Sequence, residues 1–93
     1  MCGIAGFNFS DESLIKKMND AQKHRGPDGE AVFVNDEVSL GHRRLSIIDL
    51  SEDANQPMFY DDLVIIFNGE IYNFKEIRSE LQSLGHHFET QSD

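Results

Sequence analysis

Basic residues and cysteine are scarce in this chain of 93 residues: 8 Lys and Arg stand against 17 Asp and Glu, for a net charge of −9, and Cys2 is the one cysteine. The acidity argues against a free-standing nucleic-acid binder, whose phosphate contacts need clustered Lys and Arg, and it disfavours anionic membranes. A single cysteine excludes an internal disulfide framework. Two prolines and no low-complexity tract argue against a linker or a repeat array. Long apolar runs are missing too: the longest, Leu63 to Phe67, has five residues, where a membrane-spanning helix needs about 20. No basic start leading into an apolar stretch marks a secretory signal, so the expected compartment is the cytoplasm.

What is present is the composition of a soluble globular protein, with 39% hydrophobic and 10% aromatic residues. The length allows one small domain, which buries only about 60 to 65% of its unfolded surface. Its core is therefore small.

Loose alternation from Ile4 to Phe9 predicts a strand almost at the N-terminus. Ser10 is the expected N-cap of a following helix, with Asp11 and Glu12 in the first turn, where the helix dipole favours negative charge. Leu14, Ile15, Met18 and Ala21 fall on one helical face, and Lys16, Lys17 and Asp20 on the other. The helix should stop near Lys23, because Pro27 disfavours helical dihedrals at Gly26. Ala31 to Val34 and Val38 to His42 predict a hairpin joined through Asn35-Asp36, residues that tolerate left-handed conformations. Arg43 to Pro57 reads as a long surface loop.

Leu63 to Phe67 is the strongest strand candidate, continuous enough to be buried on both faces, and it runs into Asn68-Gly69. Asn73 followed by Glu76 resembles a capping box and opens a helix with Ile77, Leu81 and Leu84 on its apolar face and Gly85 at C′. Phe88 to Gln91 predicts the start of another strand. With Asp93 at or just past that strand, the expectation is the front part of a longer unit.

Three groups of residues have reactive chemistry. A lone cysteine is ordinarily a small buried hydrophobe, but Cys2 follows the initiator Met1. Once Met1 is removed, one residue carries both a thiol and a free α-amine, with ordinary pKa values of about 8.5 and about 7.7 to 8.0. Those values are close enough for the amine to accept the thiol proton near neutral pH, which makes a nucleophile with its own base. Asn68-Gly69 alone is most simply a turn. At a rigid strand end, however, an Asn carboxamide and an unhindered backbone N–H can both face a developing alkoxide as an oxyanion hole. Arg43 and Arg44 point opposite ways on a strand, and from charge alone both read as solvated. A guanidinium is nonetheless the expected bidentate clamp for an α-carboxylate, with Glu70 or Asp93 available for the matching ammonium. The four histidines and Cys2 have no zinc spacing, and the seven glycines form no phosphate loop, so neither a metal site nor ATP binding is visible in this chain.

Taken together, CGIAG at 2 to 6, HRGPDG at 24 to 29, LGHRRLSIIDLS at 40 to 51, QPM at 56 to 58, NGEIYN at 68 to 73 and QSD at 91 to 93 closely resemble the glutamine amidotransferase domain of glutamine-hydrolysing asparagine synthetases. HRGPD and HRRLSIID are closer to asparagine synthetases than to the sugar-phosphate amidotransferases. The resemblance implies an α+β, N-terminal nucleophile (Ntn) hydrolase fold, an αββα four-layer sandwich with antiparallel sheets, of which residues 1–93 would be the N-terminal portion. It also implies roles by position: Cys2 as nucleophile, Asn68 and Gly69 as oxyanion donors, Arg44 on the substrate α-carboxylate, Leu45, Ile47 and Ile48 lining the same pocket, Asp93 on the α-amine and Glu70 assisting.

L-Glutamine is the implied substrate, and ammonia is the product passed to a C-terminal synthetase domain that activates aspartate with ATP and magnesium. That domain lies outside this chain, in which no cofactor is expected. A homodimer is among the assemblies the resemblance allows. Two alternatives stay open on the sequence: a catalytically incomplete binding or assembly module, and an amidotransferase feeding ammonia to another synthetase.

Overall fold

Among the described residues, local sequence forms seven short elements. They are β1 (Gly3–Phe7), α1 (Glu12–Ala21), β2 (Gly29–Val34), β3 (Ser39–Arg44), β4 (Met58–Tyr60), β5 (Leu63–Ile65) and α2 (Phe74–Ser83). This is a computed structural model, and it describes residues 2–46 and 55–90. Three strands form an antiparallel sheet in the order β1-β3-β2, and β4 and β5 form a separate antiparallel pair. The expected α+β class with antiparallel sheets is what these elements make.

Registers place Gly3 opposite Arg43 and Ala5 opposite Gly41 on one side of β3, and Glu30 opposite Arg43 and Val32 opposite Gly41 on the other. Because side chains alternate along a strand, these residues share one sheet face, and α1 packs there. Its contact runs through Ile15, which is fully buried, and Asn19, 1% exposed. The predicted apolar face was turned too far. Leu14 and Met18 are more than one-third exposed, and Ala21 is exposed. Asn19 takes the position facing the sheet because its Nδ2 donates to the Ala31 carbonyl (3.4 Å) and the His42 carbonyl (3.3 Å). Gly41 makes room for it: a Cβ there would lie 2.9 Å from Asn19 Oδ1.

The helix starts one residue later than Ser10 predicts. Asp11 is the N-cap, its carboxylate accepting from the Leu14 N–H at 2.9 Å. Its own N–H donates to the buried Ser39 hydroxyl at 3.0 Å, and that hydroxyl donates to the Phe9 carbonyl at 2.7 Å. Ser39 on β3 thereby decides where the helix begins.

The β2–β3 hairpin stands, but its turn is not left-handed. Asn35 Oδ1 accepts from the N–H groups of Glu37 and Val38, each at 2.8 Å, which turns the chain by a side-chain hydrogen bond. Among the described residues the positive-φ non-glycine position is Asp61, in the β4–β5 turn. β3 runs on through Arg44 into the expected loop, and residues 47–54 of that loop lie outside the described residues. β5 is shorter than predicted, with Leu63 and Ile65 at 65% and 56% exposure instead of buried on both faces. It pairs only with β4, and among the described residues no layer covers the pair. Phe59 reaches the first sheet, edge-on to Phe33 with ring centroids 5.6 Å apart.

α2 starts after Asn73 as expected, though the Asn73 side chain makes no capping hydrogen bond, and no residue of the helix is buried. Its end follows the prediction closely. Gly85 takes φ +98° at C′, the His86 N–H donates to the Leu81 carbonyl and the Gly85 N–H to that of Gln82, which is a Schellman closure. Residues 88–90 form no strand, and Gln91 lies outside the described residues.

Both predicted solvated arginines are buried, Arg43 at 4% and Arg44 at 7% exposure. Arg43 pairs with Glu30, its cross-strand neighbour, and its Nε donates to the Gly26 carbonyl at 3.0 Å. The turn around Gly26 sits so close to β3 that a Cβ on Gly26 would lie 2.3 Å from the Arg43 carbonyl carbon. Neither backbone can yield cheaply. Gly26→Ala should destabilise the protein by at least about 1 to 3 kcal/mol, read as a lower urea midpoint; an unchanged midpoint would refute the close packing.

His42 is buried at 1% exposure. Burial lowers its pKa below the ordinary value and the Arg44 guanidinium adds to that, while the bond to the Phe67 carbonyl opposes them. Unfolded, the ring binds a proton as the pH falls below about 6.5, whereas folded it resists until the pH is lower. The stability that neutral His42 contributes is therefore present above about pH 6.5 and declines as the pH falls below it. In urea melts at about pH 7.5 and about pH 5.5, wild type should lose more stability on acidification than His42→Gln, and equal losses would contradict the assignment.

Candidate functional site

Opposite the α1 face, the same alternation brings Ile4, His42 and Arg44 together, with Cys2 one residue ahead of Gly3. Beyond Arg44 the chain turns across the N-terminus. The half-buried Cys2 Sγ accepts from the Leu45 N–H at 3.4 Å and donates to the Leu45 carbonyl at 3.9 Å. An N–H aimed at sulfur fixes where the side chain points. On the backbone side, Arg25 Nε donates to the Cys2 carbonyl at 3.2 Å and so holds the residue that bears the thiol.

The segment after β3 is fastened by its neighbours. Asp28 donates its N–H to the Arg44 carbonyl at 2.9 Å, and its carboxylate accepts from the Ser46 N–H at 2.8 Å. The buried Arg44 guanidinium donates to Asn55 Oδ1 at 2.9 Å. In a chain of net charge −9, two arginines thus hold the Cys2 carbonyl and the Asn55 side chain. A buried guanidinium suits an anionic substrate group.

Asn68-Gly69 follows a segment that no strand holds, since β5 ends at Ile65. Phe67 anchors it: its N–H donates to Gln56 Oε1, and its carbonyl accepts from His42 Nε2 at 3.3 Å. Asn68 is half-buried, and its carboxamide makes no hydrogen bond among the described residues. Gly69 lies under the Phe67 ring, where a Cβ would come within 2.8 Å of the ring edge. Glu70 is exposed.

Of the residues singled out from the sequence, Cys2, Arg44 and Leu45 come together at the end of β3. Asn68 and Gly69 are joined to the same strand through Phe67 and His42. Ile47, Ile48 and Asp93 lie outside the described residues. Nothing in the sequence assigns a site role to Arg25, Asp28, His42, Asn55 or Gln56. Arg25 and Asp28 sit inside the HRGPDG block and Gln56 opens the QPM block, so the motifs mark them without their contacts; Asn55 carries no signal. No group of three or more His, Cys, Asp or Glu side chains among the described residues could hold a metal ion.

The chain is similar to known proteins along its whole length. The model of the glutamine amidotransferase domain family matches residues 1–93. The chain is 48% identical to glutamine-hydrolysing asparagine synthetase 1 of Bacillus subtilis (strain 168), over 100% of this chain and 16% of that protein. It is 42% identical to a putative glutamine-hydrolysing asparagine synthetase 2 of Methanocaldococcus jannaschii, over 86% of this chain and 20% of that protein. With glutamine-hydrolysing asparagine synthetase 1 of Arabidopsis thaliana the identity is 40%, over 100% and 17%. The chain spans less than a quarter of the length of these relatives. With a family match along its full length, and a thiol, a guanidinium and an Asn-Gly corner organised around one strand, the chain belongs to the glutamine amidotransferase domain family.

Proposed function

We propose that residues 1–93 are the nucleophile-bearing part of a glutaminase domain of asparagine synthetase type, which releases ammonia from L-glutamine. The observation that carries the reading is the Leu45 N–H directed at Cys2 Sγ from 3.4 Å, immediately after the buried Arg44. On this reading Arg44, one residue before Leu45, is the carboxylate clamp for a substrate attacked by that sulfur.

With Met1 removed, the Cys2 α-amine takes the thiol proton as Sγ bonds to the side-chain carboxamide carbon of glutamine. The carbonyl oxygen becomes an oxyanion, received by the Asn68 carboxamide and the Gly69 N–H. Collapse breaks the carbon–nitrogen bond, the α-ammonium returns its proton to the leaving nitrogen, and ammonia departs from a γ-glutamyl thioester. Water then attacks the thioester, freeing glutamate and the thiol. Arg44 holds the substrate α-carboxylate beside the backbone of Leu45, with Ile47 and Ile48 continuing the pocket, and Asp93 and Glu70 hold the α-ammonium.

Placed in the αββα four-layer sandwich of the Ntn hydrolases, the β1-β3-β2 sheet and the β4-β5 pair would be parts of the two stacked sheets, with α1 in one outer layer. The ammonia serves ATP-dependent conversion of aspartate to asparagine in a synthetase domain, in the cytoplasm. ATP and magnesium belong to that domain, and no step described for this chain runs through them.

Treatment with a glutamine-like electrophile followed by intact mass should show loss of Met1 and one adduct, located at Cys2; a folded protein without an adduct would favour a binding module. Cys2→Ala in the full-length protein should abolish glutamine hydrolysis and leave ammonia-dependent synthesis intact. Loss of both would refute the division of labour. Arg44→Ala removes a charge-assisted clamp and should raise KM for glutamine by about 10- to 100-fold with a smaller effect on kcat. Steady-state kinetics giving an unchanged KM would take Arg44 out of the pocket.

A further inference from the structure

The His42 ring has one polar contact, although it is buried to 1% exposure. Nε2 faces the Phe67 carbonyl at 3.3 Å, while Nδ1 is shut off from solvent and has no partner among the described residues. A carbonyl oxygen only accepts, so Nε2 carries the proton and donates. Nδ1 is then a buried lone pair without a donor, a cost that Phe or Leu at this position would not carry. The contact at Nε2 lies at a place where the backbone has little else to hold it. Beyond Ile65 no strand continues, yet the Phe67 carbonyl belongs to the peptide plane that leads into Asn68.

Gln56 fixes the other side of Phe67 by accepting from its N–H. His42 also stands on β3 opposite Ile4, two residues before Arg44 and three before Leu45, whose N–H meets Cys2 Sγ. One side chain therefore links the strand that carries the nucleophile's surroundings to the Asn68-Gly69 corner.

We propose that His42 is a positioning residue: by donating Nε2–H to the Phe67 carbonyl it sets the orientation of the Phe67–Asn68 peptide and so aims the Asn68 and Gly69 donors at the oxyanion formed over Cys2. This rests on the amidotransferase reading above. It predicts an effect on the transition state and little effect on glutamine binding, because the substrate clamp on Arg44 is untouched.

In the full-length protein, His42→Phe should lower kcat for glutamine hydrolysis by about 10- to 100-fold and leave KM within about twofold. His42→Gln, whose side-chain amide can donate in place of the ring, should return kcat to within about threefold of wild type. In an Asn68→Ala background, His42→Phe should lower kcat by clearly less than it does in the wild-type background, since one of the two donors it positions is already gone. A folded His42→Phe protein with unchanged kcat, or a full multiplicative loss in the Asn68→Ala background, would overturn the proposal. Should His42→Phe fail to fold, imidazole ¹⁵N shifts of the wild-type protein decide: an Nε2–H tautomer supports the proposal and an Nδ1–H tautomer overturns it. Wild type without glutaminase activity and without a Cys2 adduct would instead overturn the amidotransferase reading itself and take this role with it.

Discussion

Backbone pairing along both edges of β3 is the constraint on which the remaining structure depends. β1 and β2 each run antiparallel to this strand and saturate its hydrogen bonds, so its φ/ψ alternation is fixed and its side chains have no freedom to exchange faces. Ser39, Gly41 and Arg43 turn to one side, toward the helix, and His42 and Arg44 to the other. A slip of one residue would exchange the faces of Arg43 and Arg44 and put Arg44 under the helix. The register is defended by Glu30, which stands directly opposite Arg43 and pairs with it, and by the contact of Asn19 with Gly41, where a Cβ would lie 2.9 Å from Asn19 Oδ1.

That strand also explains how an acidic protein keeps arginines inside. A guanidinium removed from water needs partners for its donors. Arg43 finds a carboxylate and the Gly26 carbonyl, and Arg44 finds the Asn55 carboxamide. Much of this satisfaction comes from turns and loop residues that look polar and incidental in the sequence. The same turns hold the segment after β3 against Cys2, through Asp28 on one side and Arg25 on the other. Structural demand and chemical demand are met here by the same contacts.

Reading the sequence located most elements because their signals are local. Gly85 ended α2 as glycine with positive φ does, and the Asn35 turn lay where two β-rich runs required one. Boundaries failed where a distant group intervened: Ser39, 28 residues from Asp11, moved the first helix cap. Exposure failed for a different reason. Leu63 to Phe67 is apolar enough for a buried strand, but burial belongs to the neighbours of a strand, and among the described residues β5 pairs with β4 alone. Arg43 and Arg44 erred in the opposite direction, since partners 13 and 11 residues away decide whether a charge can be buried.

The sequence by itself determined the reactive inventory: a thiol next to the chain start, an Asn-Gly pair after an apolar run, adjacent arginines and the six blocks that mark the family. Those are properties of residue types and short spacings, and they survive without coordinates. Only the tertiary structure decided that Leu45 meets Cys2 across 43 residues of chain, that Arg44 leans on Asn55, and that a buried histidine holds the Phe67 carbonyl. The physical reason is that hydrogen-bond geometry between groups far apart in sequence is set by strand register and turn closure, and neither is written in any one segment.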